Sequence, residues 1–309
     1  MTNASQEVMQ PAVQSVQSFD AWMAAVQATM EQALSSFLPD AAQAPQELHQ
    51  AMRYAALDGG KRVRPLLAFA AGELFAAAPQ QLQRAAAAVE MIHAYSLVHD
   101  DMPCMDDDAL RRGKPTVHVK FGQASALLAG DALQAQAFLV LTDGAGDADC
   151  KLAMVRLLAQ ASGSLGMCGG QAIDLASVGL HLSRQQLEQM HRLKTGALLR
   201  AAVLLGALSG KLLTPTEEQA LDRYAAGVGL AFQVVDDILD ATADSATLGK
   251  TAGKDAADNK PTYVSILGLD ASKALAEQLR QDAHAAILSF GDKAQRLREL
   301  ADLIVQRKA

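Results

Sequence analysis

The sequence predicts an all-α protein, a single large helical bundle built from most of the 309 residues. Alanine and leucine are abundant, β-branched runs are few, and apolar residues recur at three- and four-residue spacing over long stretches. This spacing is typical of helices that bury one face. No alternation typical of strands competes with it, and half of the residues are hydrophobic, which is ample for a substantial core.

The periodic stretches predict helices in chain order at 19–38, 79–98, 151–165, 183–208, 216–239 and 271–290, with a last helix before Lys308. Breakers separate them at 38–40, 58–60, 143–149, 209–211 and 214–215. Thr214 or Thr216, followed by two glutamates, predicts a capped helix start. No linker composition divides the chain, so we expect one domain over residues 19–309, preceded by a disordered tail at 1–18.

The net negative charge of the chain comes from two clusters of aspartates. The formal net charge is -7, and the eight aspartates of two clusters account for all of it, so the rest is close to neutral. This argues against a nucleic-acid surface. Three scattered cysteines without CxxC spacing favour reduced thiols in a cytoplasmic protein. The N-terminus has no signal-peptide pattern, and no apolar run approaches the ~18 residues of a membrane span.

The two aspartate clusters, at 100–108 and 236–240, each follow an apolar helical stretch. Carboxylates this dense repel one another unless cations neutralise them, so the sequence predicts divalent ions such as Mg²⁺. Asp236 and Asp240 are one turn apart on the same helix face, with Asp237 rotated by roughly 100°. A solvated helix face is the simpler alternative, but Asp is a poor mid-helix residue.

The first cluster is less regular, because Pro103 interrupts it and a continuous helix cannot be assumed. Spacing alone does not separate the roles of Asp106, Asp107 and Asp108. A calcium loop is disfavoured, since the alternating acids, central glycine and distal glutamate of an EF-hand are absent from the sequence.

Cationic residues recur in short, defined places beside glycines or acids. They are Lys61 and Arg64 after Gly59-Gly60, Arg111-Arg112 after the first cluster, Arg192 with Lys194-Thr195, and Lys250, Lys254 and Lys260. The guanidinium groups of Arg and the ammonium groups of Lys bind phosphate oxygens, so a metal site beside them indicates a ligand with several negative charges. No P-loop or dinucleotide fingerprint is present. The Gly- and Lys-containing segment 242–259 is a candidate lid.

Five elements in order resemble the trans-isoprenyl diphosphate synthase family, and within it the bacterial farnesyl type. They are Gly-Gly-Lys-Arg-Val-Arg-Pro at 59–65, His-Asp-Asp-Met-Pro-Cys-Met-Asp-Asp-Asp at 99–108 with Arg-Arg-Gly-Lys-Pro-Thr at 111–116, Gly-Gly-Gln-Ala-Ile-Asp-Leu at 169–175, Lys-Thr-Gly at 194–196, and Phe-Gln-Val-Val-Asp-Asp-Ile-Leu-Asp at 232–240. The resemblance covers roughly residues 30–308. It implies a helical bundle of the isoprenoid synthase type with a central cavity, and a homodimer.

The resemblance also implies roles for individual residues. Asp100, Asp101, Asp106 and Asp236 would bind three Mg²⁺ ions, or Mn²⁺, supported by Asp237 and Asp240. Arg111, Lys194, Thr195, Gln233, Lys250 and Lys260 would bind an allylic diphosphate; Lys61, Arg64, His93 and Arg112 would bind isopentenyl diphosphate, with Gln171 and Asp174 between them. The metal ligands Asp100, Asp101, Asp106 and Asp236, with Arg111 and Lys194, would be the catalytic set.

The implied reaction is head-to-tail prenyl transfer, in which an allylic carbocation is attacked by isopentenyl diphosphate. Tyr95, with Ser96 beside it, lies five residues before the first cluster, where the family has a size-setting side chain. A phenol there favours a fifteen-carbon product, although Tyr95 could instead merely pack between helices. Three alternatives remain. The first is a geranylgeranyl diphosphate synthase. The second is a terpene cyclase, which would not need Lys61, Arg64 or the second cluster, and the third is a catalytically silent partner subunit, which would have lost motif aspartates.

Overall fold

The structure, a computed structural model, describes residues 17–242 and 261–307, and these are almost entirely helical. The prediction of an all-α bundle is therefore confirmed. The helices are α1 (Phe19–Phe37), α2 (Gln46–Ala56), α3 (Val63–Leu74), α4 (Pro79–Asp100), α5 (Val117–Phe121), α6 (Gln123–Thr142), α7 (Ala148–Ser162), α8 (Met167–Ala176), α9 (Arg184–His191), α10 (Ala197–Leu208), α11 (Pro215–Thr242), α12 (Tyr263–Leu267), α13 (Leu269–Ala286) and α14 (Gln295–Gln306). A π-helical turn (Arg192–Gly196) joins α9 to α10, and a 3-10 segment (Leu288–Ala294) precedes α14.

The sequence signals for helix starts appear as observed caps. Ser18 accepts a hydrogen bond from the Ala21 amide at the start of α1. Thr214 and Glu217 form reciprocal bonds before α11, which resolves the choice between Thr214 and Thr216. Strands β1 (Leu110–Arg111) and β2 (Lys114–Pro115) form an antiparallel pair that was not predicted, because each strand is too short to show alternation.

The main core lies where α3, α4 and α10 pack together, with α6 on the outer side of α4. Alanine makes these close contacts possible: residues 85–88 of α4 are four consecutive alanines, all fully buried. A smaller cluster joins α9, α11, α12 and α13. The two clusters meet at α11, the helix that carries the second aspartate motif.

Helix α6 is the one helix within residues 17–242 and 261–307 that is long and apolar enough to cross a membrane. Its inner face packs on α4 and α2, with Ala126, Ala129 and Leu133 fully buried. The exposed face carries Asp131 beside several leucines. These contacts are those of a bundle helix. The proposed tail before residue 17 and the candidate lid, from residue 243 onward, lie outside the described residues, as do Lys250, Lys254 and Lys260.

Candidate active site

The loop after α4 folds back over the end of that helix and orders the first aspartate cluster. The Asp106 amide donates to the Asp100 carbonyl at 2.9 Å, and the Asp108 amide donates to the Asp101 carbonyl at 3.2 Å. These bonds satisfy helix-end carbonyls that would otherwise lack partners. Asp107 has a positive φ of 49° and is exposed. The fold therefore groups Asp106 with Asp100 and Asp108 with Asp101, a distinction that spacing alone did not provide.

The hairpin of β1 and β2 directs its two arginines to different places. Arg112 and Gly113, in the two-residue turn, both have positive φ, as tight hairpin turns require. Arg111 donates to both carboxylate oxygens of Asp101 at 2.5 to 2.9 Å. Arg112 lies over the glycine loop, where a Cβ on Gly60 would be 2.7 Å from its Nη1 atom. Gly60 thus makes room for a guanidinium.

A cavity of about 410 Å³ opens beside the first cluster, within the size range of small-molecule sites. Most of its wall comes from α4 and α8, and its polar residues are grouped toward the aspartates. The residues lining it include predicted members of both substrate sites and of the chain-length pair: Arg64, His93, Tyr95, Ser96, Asp100, Gln171, Lys194 and Thr195. The fold therefore brings together residues from four separate parts of the chain: α3, α4, α8 and the π-helical turn.

One side of this cavity is positively charged and short of anions. Burial lowers the pKa of Arg64 to about 10, and Arg112 lowers it further against the attraction of Glu90. Arg64 has no hydrogen-bond partner in the described parts of the chain, and its Nε atom is buried. Burial and the neighbouring guanidinium groups, Arg64 first, hold the pKa of His93 well below its usual value, so His93 is neutral and can donate one N–H. Such a wall is suited to a phosphate group.

The π-helical turn presents Lys194 and Thr195 on the opposite wall. Helix α8 packs closely against the backbone of this turn, since a Cβ on Gly170 would lie 2.1 Å from the Lys194 amide nitrogen. Lys194 donates to Asp174 at 2.5 Å, and Thr195 donates to the Gln233 side chain at 3.3 Å. π-turns are rare and occur often at functional sites. Here the wider turn places two adjacent side chains at the same cavity.

The second aspartate cluster is arranged more asymmetrically than its spacing suggested. Asp236 forms an ion pair with Arg307, the residue that follows α14, and the Asp236 side chain is 41% exposed. Asp237 is buried and accepts from the Gln233 side chain at 2.9 Å and from the Tyr263 amide at 2.7 Å. Asp240 is also buried. The structure therefore gives Asp237 a role in joining α11 to α12, whereas Asp236 remains reachable.

The predicted metal site can be tested against these contacts. Asp100 is half-buried without a hydrogen-bond or ion-pair partner among the residues described, and burial raises its pKa to about 6, with Asp106 and Asp101 adding repulsion and Lys194 opposing it. A partly buried carboxylate such as Asp100, beside the other oxygen donors of the cluster, fits Mg²⁺, which needs only one or two carboxylates when phosphates complete its shell. Within 17–242 and 261–307, no group of three acidic, His or Cys side chains converges on a single point.

Several neighbours of the site were missed by sequence reasoning. Arg62 stands inside the glycine-rich motif but is buried, donating to Glu90 and Glu31 at 2.8 Å each. Arg307 and Cys168 were not singled out either, because a lone arginine near a chain end and a lone cysteine carry no sequence signal. Among the predicted residues, Lys61 is exposed, and Ser96 donates to the His93 carbonyl on its own helix.

An all-α cavity with acidic groups at its mouth, unpaired arginine beside them and an apolar interior defines a class of proteins that hold a charged head group and an apolar chain together. The chain belongs to the polyprenyl synthetase family, whose sequence profile matches residues 45–297.

Comparisons with individual proteins agree with this assignment. A probable farnesyl diphosphate synthase of Sinorhizobium fredii is 52% identical over 282 residues, 90% of this chain and 85% of that protein. The farnesyl diphosphate synthase of Escherichia coli is 50% identical over 283 residues, 89% of this chain and 94% of that protein. The crystal structure of an FPP/GFPP synthase from Zymomonas mobilis matches with a TM-score of 0.83 and 41% identity, covering 93% and 98% of the two chains.

Proposed function

We propose that this protein is a farnesyl diphosphate synthase, which condenses isopentenyl diphosphate with dimethylallyl or geranyl diphosphate. The observation that carries the proposal is the cavity itself, which is lined by Arg64, His93, Asp100, Lys194 and Thr195 together with apolar side chains. The farnesyl names of relatives at 52% and 50% identity support the same product, and geranylgeranyl-forming relatives are more distant.

The reaction breaks the allylic carbon–oxygen bond, and the bonding electron pair leaves with diphosphate. The double bond of isopentenyl diphosphate attacks the resulting cation at its terminal carbon, a carbon–carbon bond forms, and one proton leaves. Magnesium at Asp100, Asp101, Asp106 and Asp236 would neutralise the departing charge. Lys194 and Arg111 are placed to bind the same diphosphate, because both already reach carboxylates of this site. The apolar walls exclude water from the cation.

Isopentenyl diphosphate fits the wall of Arg64, His93 and Arg112. Arg64 is desolvated and lacks a partner among the described residues, so an anion binding there recovers interactions that the free protein does not make. Neutral His93 can donate to a phosphate oxygen without adding charge. The resemblance assigns the final proton to the released diphosphate. Three magnesium ions and a possible use of Mn²⁺ stay part of this proposal.

Two further points belong to the proposal. A homodimer is supported by the outer face of α6, where Leu127, Leu128 and Leu139 are each about half exposed. Sedimentation of wild type and Leu128→Glu at several concentrations would detect the expected dimer and its weakening.

A reducing, cytoplasmic setting is supported by Cys104, Cys150 and Cys168, all of which are free thiols.

The direct test is incubation of the purified protein with magnesium, dimethylallyl diphosphate and isopentenyl diphosphate, followed by measurement of product chain length. We expect a fifteen-carbon diphosphate. A twenty-carbon product would favour the geranylgeranyl alternative, and cyclic hydrocarbons formed without isopentenyl diphosphate would favour a cyclase. Absence of any condensation product would contradict the proposal and leave the silent-subunit alternative.

A further inference from the structure

Part of the cavity wall is formed by a contact between two helices. Tyr95 of α4 and Cys168 of α8 both line the cavity, and the Tyr95 hydroxyl lies 3.5 Å from the Cys168 sulfur. Sulfur forms weak, long hydrogen bonds in which it donates or accepts, so this distance is a bonding one. The Tyr95 ring is 5% exposed, whereas Cys168 is exposed toward the open volume.

Other contacts hold the Tyr95 ring and reach its hydroxyl from the side away from Cys168. The His99 ring packs edge-on against it with centroids 5.7 Å apart, and His99 itself sits over Gly130 and bonds the Leu127 carbonyl at 3.1 Å. The Gln134 side chain of α6 also interacts with the phenol. The phenol is therefore held between α6 and α8, and Cys168 is its contact on the cavity side.

This contact lies at the depth where chain length would be decided. Tyr95 precedes Asp100 by five residues on one continuous helix, which separates them by about 7.5 Å along the axis. The neighbouring Ser96 hydroxyl is bonded to the His93 carbonyl, so it does not reach across. This part of the cavity wall is thus a pair of side chains from two helices.

We propose that Cys168 is a specificity-determining residue that acts by positioning Tyr95: its thiol holds the phenol across the cavity and so limits elongation at fifteen carbons. This inference rests on the proposed function and adds a residue on α8 to it. When the thiol is removed, the phenol loses its partner on that side, and the space left by sulfur lets it tilt away from the growing chain. Elongation by one further unit then becomes possible.

The test compares product length for wild type, C168A, C168S, Y95F and Y95F/C168A at equal turnover. A serine hydroxyl retains a hydrogen-bonding group, so C168S keeps the fifteen-carbon product. C168A and Y95F each raise the twenty-carbon share about fivefold, the size of effect that one lost hydrogen bond produces. The double variant resembles the single ones, because both remove the same contact. C150A, a cysteine-to-alanine change on α7 away from the cavity, serves as the matched control.

Product distribution is a readout that general destabilisation does not move, and thermal unfolding of each variant checks the fold separately. A wild-type distribution for C168A, additive effects in the double variant, or equal lengthening by C168S and C168A would each overturn the inference. If the wild-type enzyme forms the fifteen-carbon product and one of these contrary results is found, the proposed function still holds and only the role of Cys168 is rejected. A wild-type enzyme that makes no condensation product removes both.

Discussion

The guanidinium of Arg307 forms an ion pair with the Asp236 carboxylate and lies over the Phe232 ring, 4.0 Å from its centroid. Arg307 also donates to the Phe232 carbonyl at 3.0 Å. An arginine that directly follows the last described helix therefore neutralises the carboxylate that the resemblance assigns to magnesium. Metal and guanidinium cannot share this carboxylate fully, so they compete for it.

This competition predicts the behaviour of Arg307→Gln. Because Asp236 is 41% exposed, the pair is screened by water, and its loss should lower the magnesium concentration for half-maximal rate by only about two- to fivefold. The measurement is a magnesium titration of initial rates for both proteins. The control is Arg298→Gln, because Arg298 lies on the preceding helix α14 and donates to the Gly291 carbonyl instead of a carboxylate of the site. An unchanged or higher magnesium requirement would show that the arginine does not compete with the metal.

Asp100→Asn is expected to separate activity from stability. The ionised carboxylate is desolvated and lacks a partner among the described residues, so it opposes folding at neutral pH. We expect D100N to lose about a hundredfold or more in kcat, yet to unfold no more easily than wild type in metal-free buffer, with a gain of up to ~2 kcal/mol at pH 7.5. Rates and urea unfolding measure the two effects.

The pH dependence of that stability gain has a defined sign. The folded protein keeps the Asp100 proton up to a pH of about 6, whereas an unfolded aspartate loses it near pH ~4. The cost of ionising Asp100 in the folded protein therefore does not reduce stability below pH ~4, and it reduces stability increasingly as the pH rises toward ~6. D101N is the contrast, since it breaks the bonds of Asp101 to Arg111 and should be less stable than wild type. Equal destabilisation of both variants would be inconsistent with this account.

Arg64→Met should impair binding of one substrate selectively. Arg64 is buried without a partner in the described chain, so its removal costs no internal bond, and an apolar side chain avoids the desolvation of a charge. We expect KM for isopentenyl diphosphate to rise about ten- to hundredfold, the worth of a charged hydrogen bond. KM for geranyl diphosphate should change much less. Steady-state kinetics with each substrate varied in turn measures both.

The control for Arg64 is two residues away. Arg62 donates to Glu90 at 2.8 Å, and both side chains are 5% exposed. Arg62→Met would leave Glu90 buried and unpaired, so we expect a loss of about 3–5 kcal/mol in the free energy of unfolding. Denaturant titration of the two variants should place them on opposite sides of wild type. Matching stability losses would mean that Arg64 is also a structural residue.

His191 should make the fold sensitive to acid. Its ring stacks on Tyr263 with centroids 5.7 Å apart, and both ring nitrogens are buried without a hydrogen bond to any residue that the structure describes. Burial lowers its pKa to about 4, Lys194 lowers it further, and Asp174 partly opposes both. Since an unfolded histidine binds its proton near pH ~6.5, wild type should lose about 2–3 kcal/mol of stability between pH ~6.5 and ~4. His191→Phe should lose measurably less over that range in urea unfolding at each pH.

Sequence reasoning was most successful where chemistry is local. Helix bounds such as those of α1 and α4 follow from periodicity and caps, and the clustering of aspartates is visible by eye. The loop bonds that pair Asp106 with Asp100 were not predictable, because they depend on how residues after Pro103 fold back. The spacing of residues in the sequence does not reveal how this loop folds.

The same limit explains the residues that were missed or assigned differently. Asp237 has the same residue type as Asp236, but its oxygens meet the Gln233 side chain and the Tyr263 amide. One partner lies four residues away and the other comes from a separate helix. Arg62 and Arg64 differ in the same way, since only tertiary contacts decide which one faces Glu90. Residue type indicates which chemistry the site can perform. Contacts between helices decide which of two residues of the same type, such as Arg62 and Arg64, is available for it.

The π-helical turn at Arg192–Gly196 has a consequence for how this protein can be altered. A π-turn holds one more residue than the α-turn it replaces, so deletion of a single residue there would let α9 run into α10 without a break. The wide turn absorbs its extra residue locally, so α9 and α10 would keep their orientation while the side chains inside the turn change direction. The width of this turn is therefore a means of redirecting Lys194 and Thr195 without substituting either, and a deletion becomes as informative as a point variant for evolving this cavity.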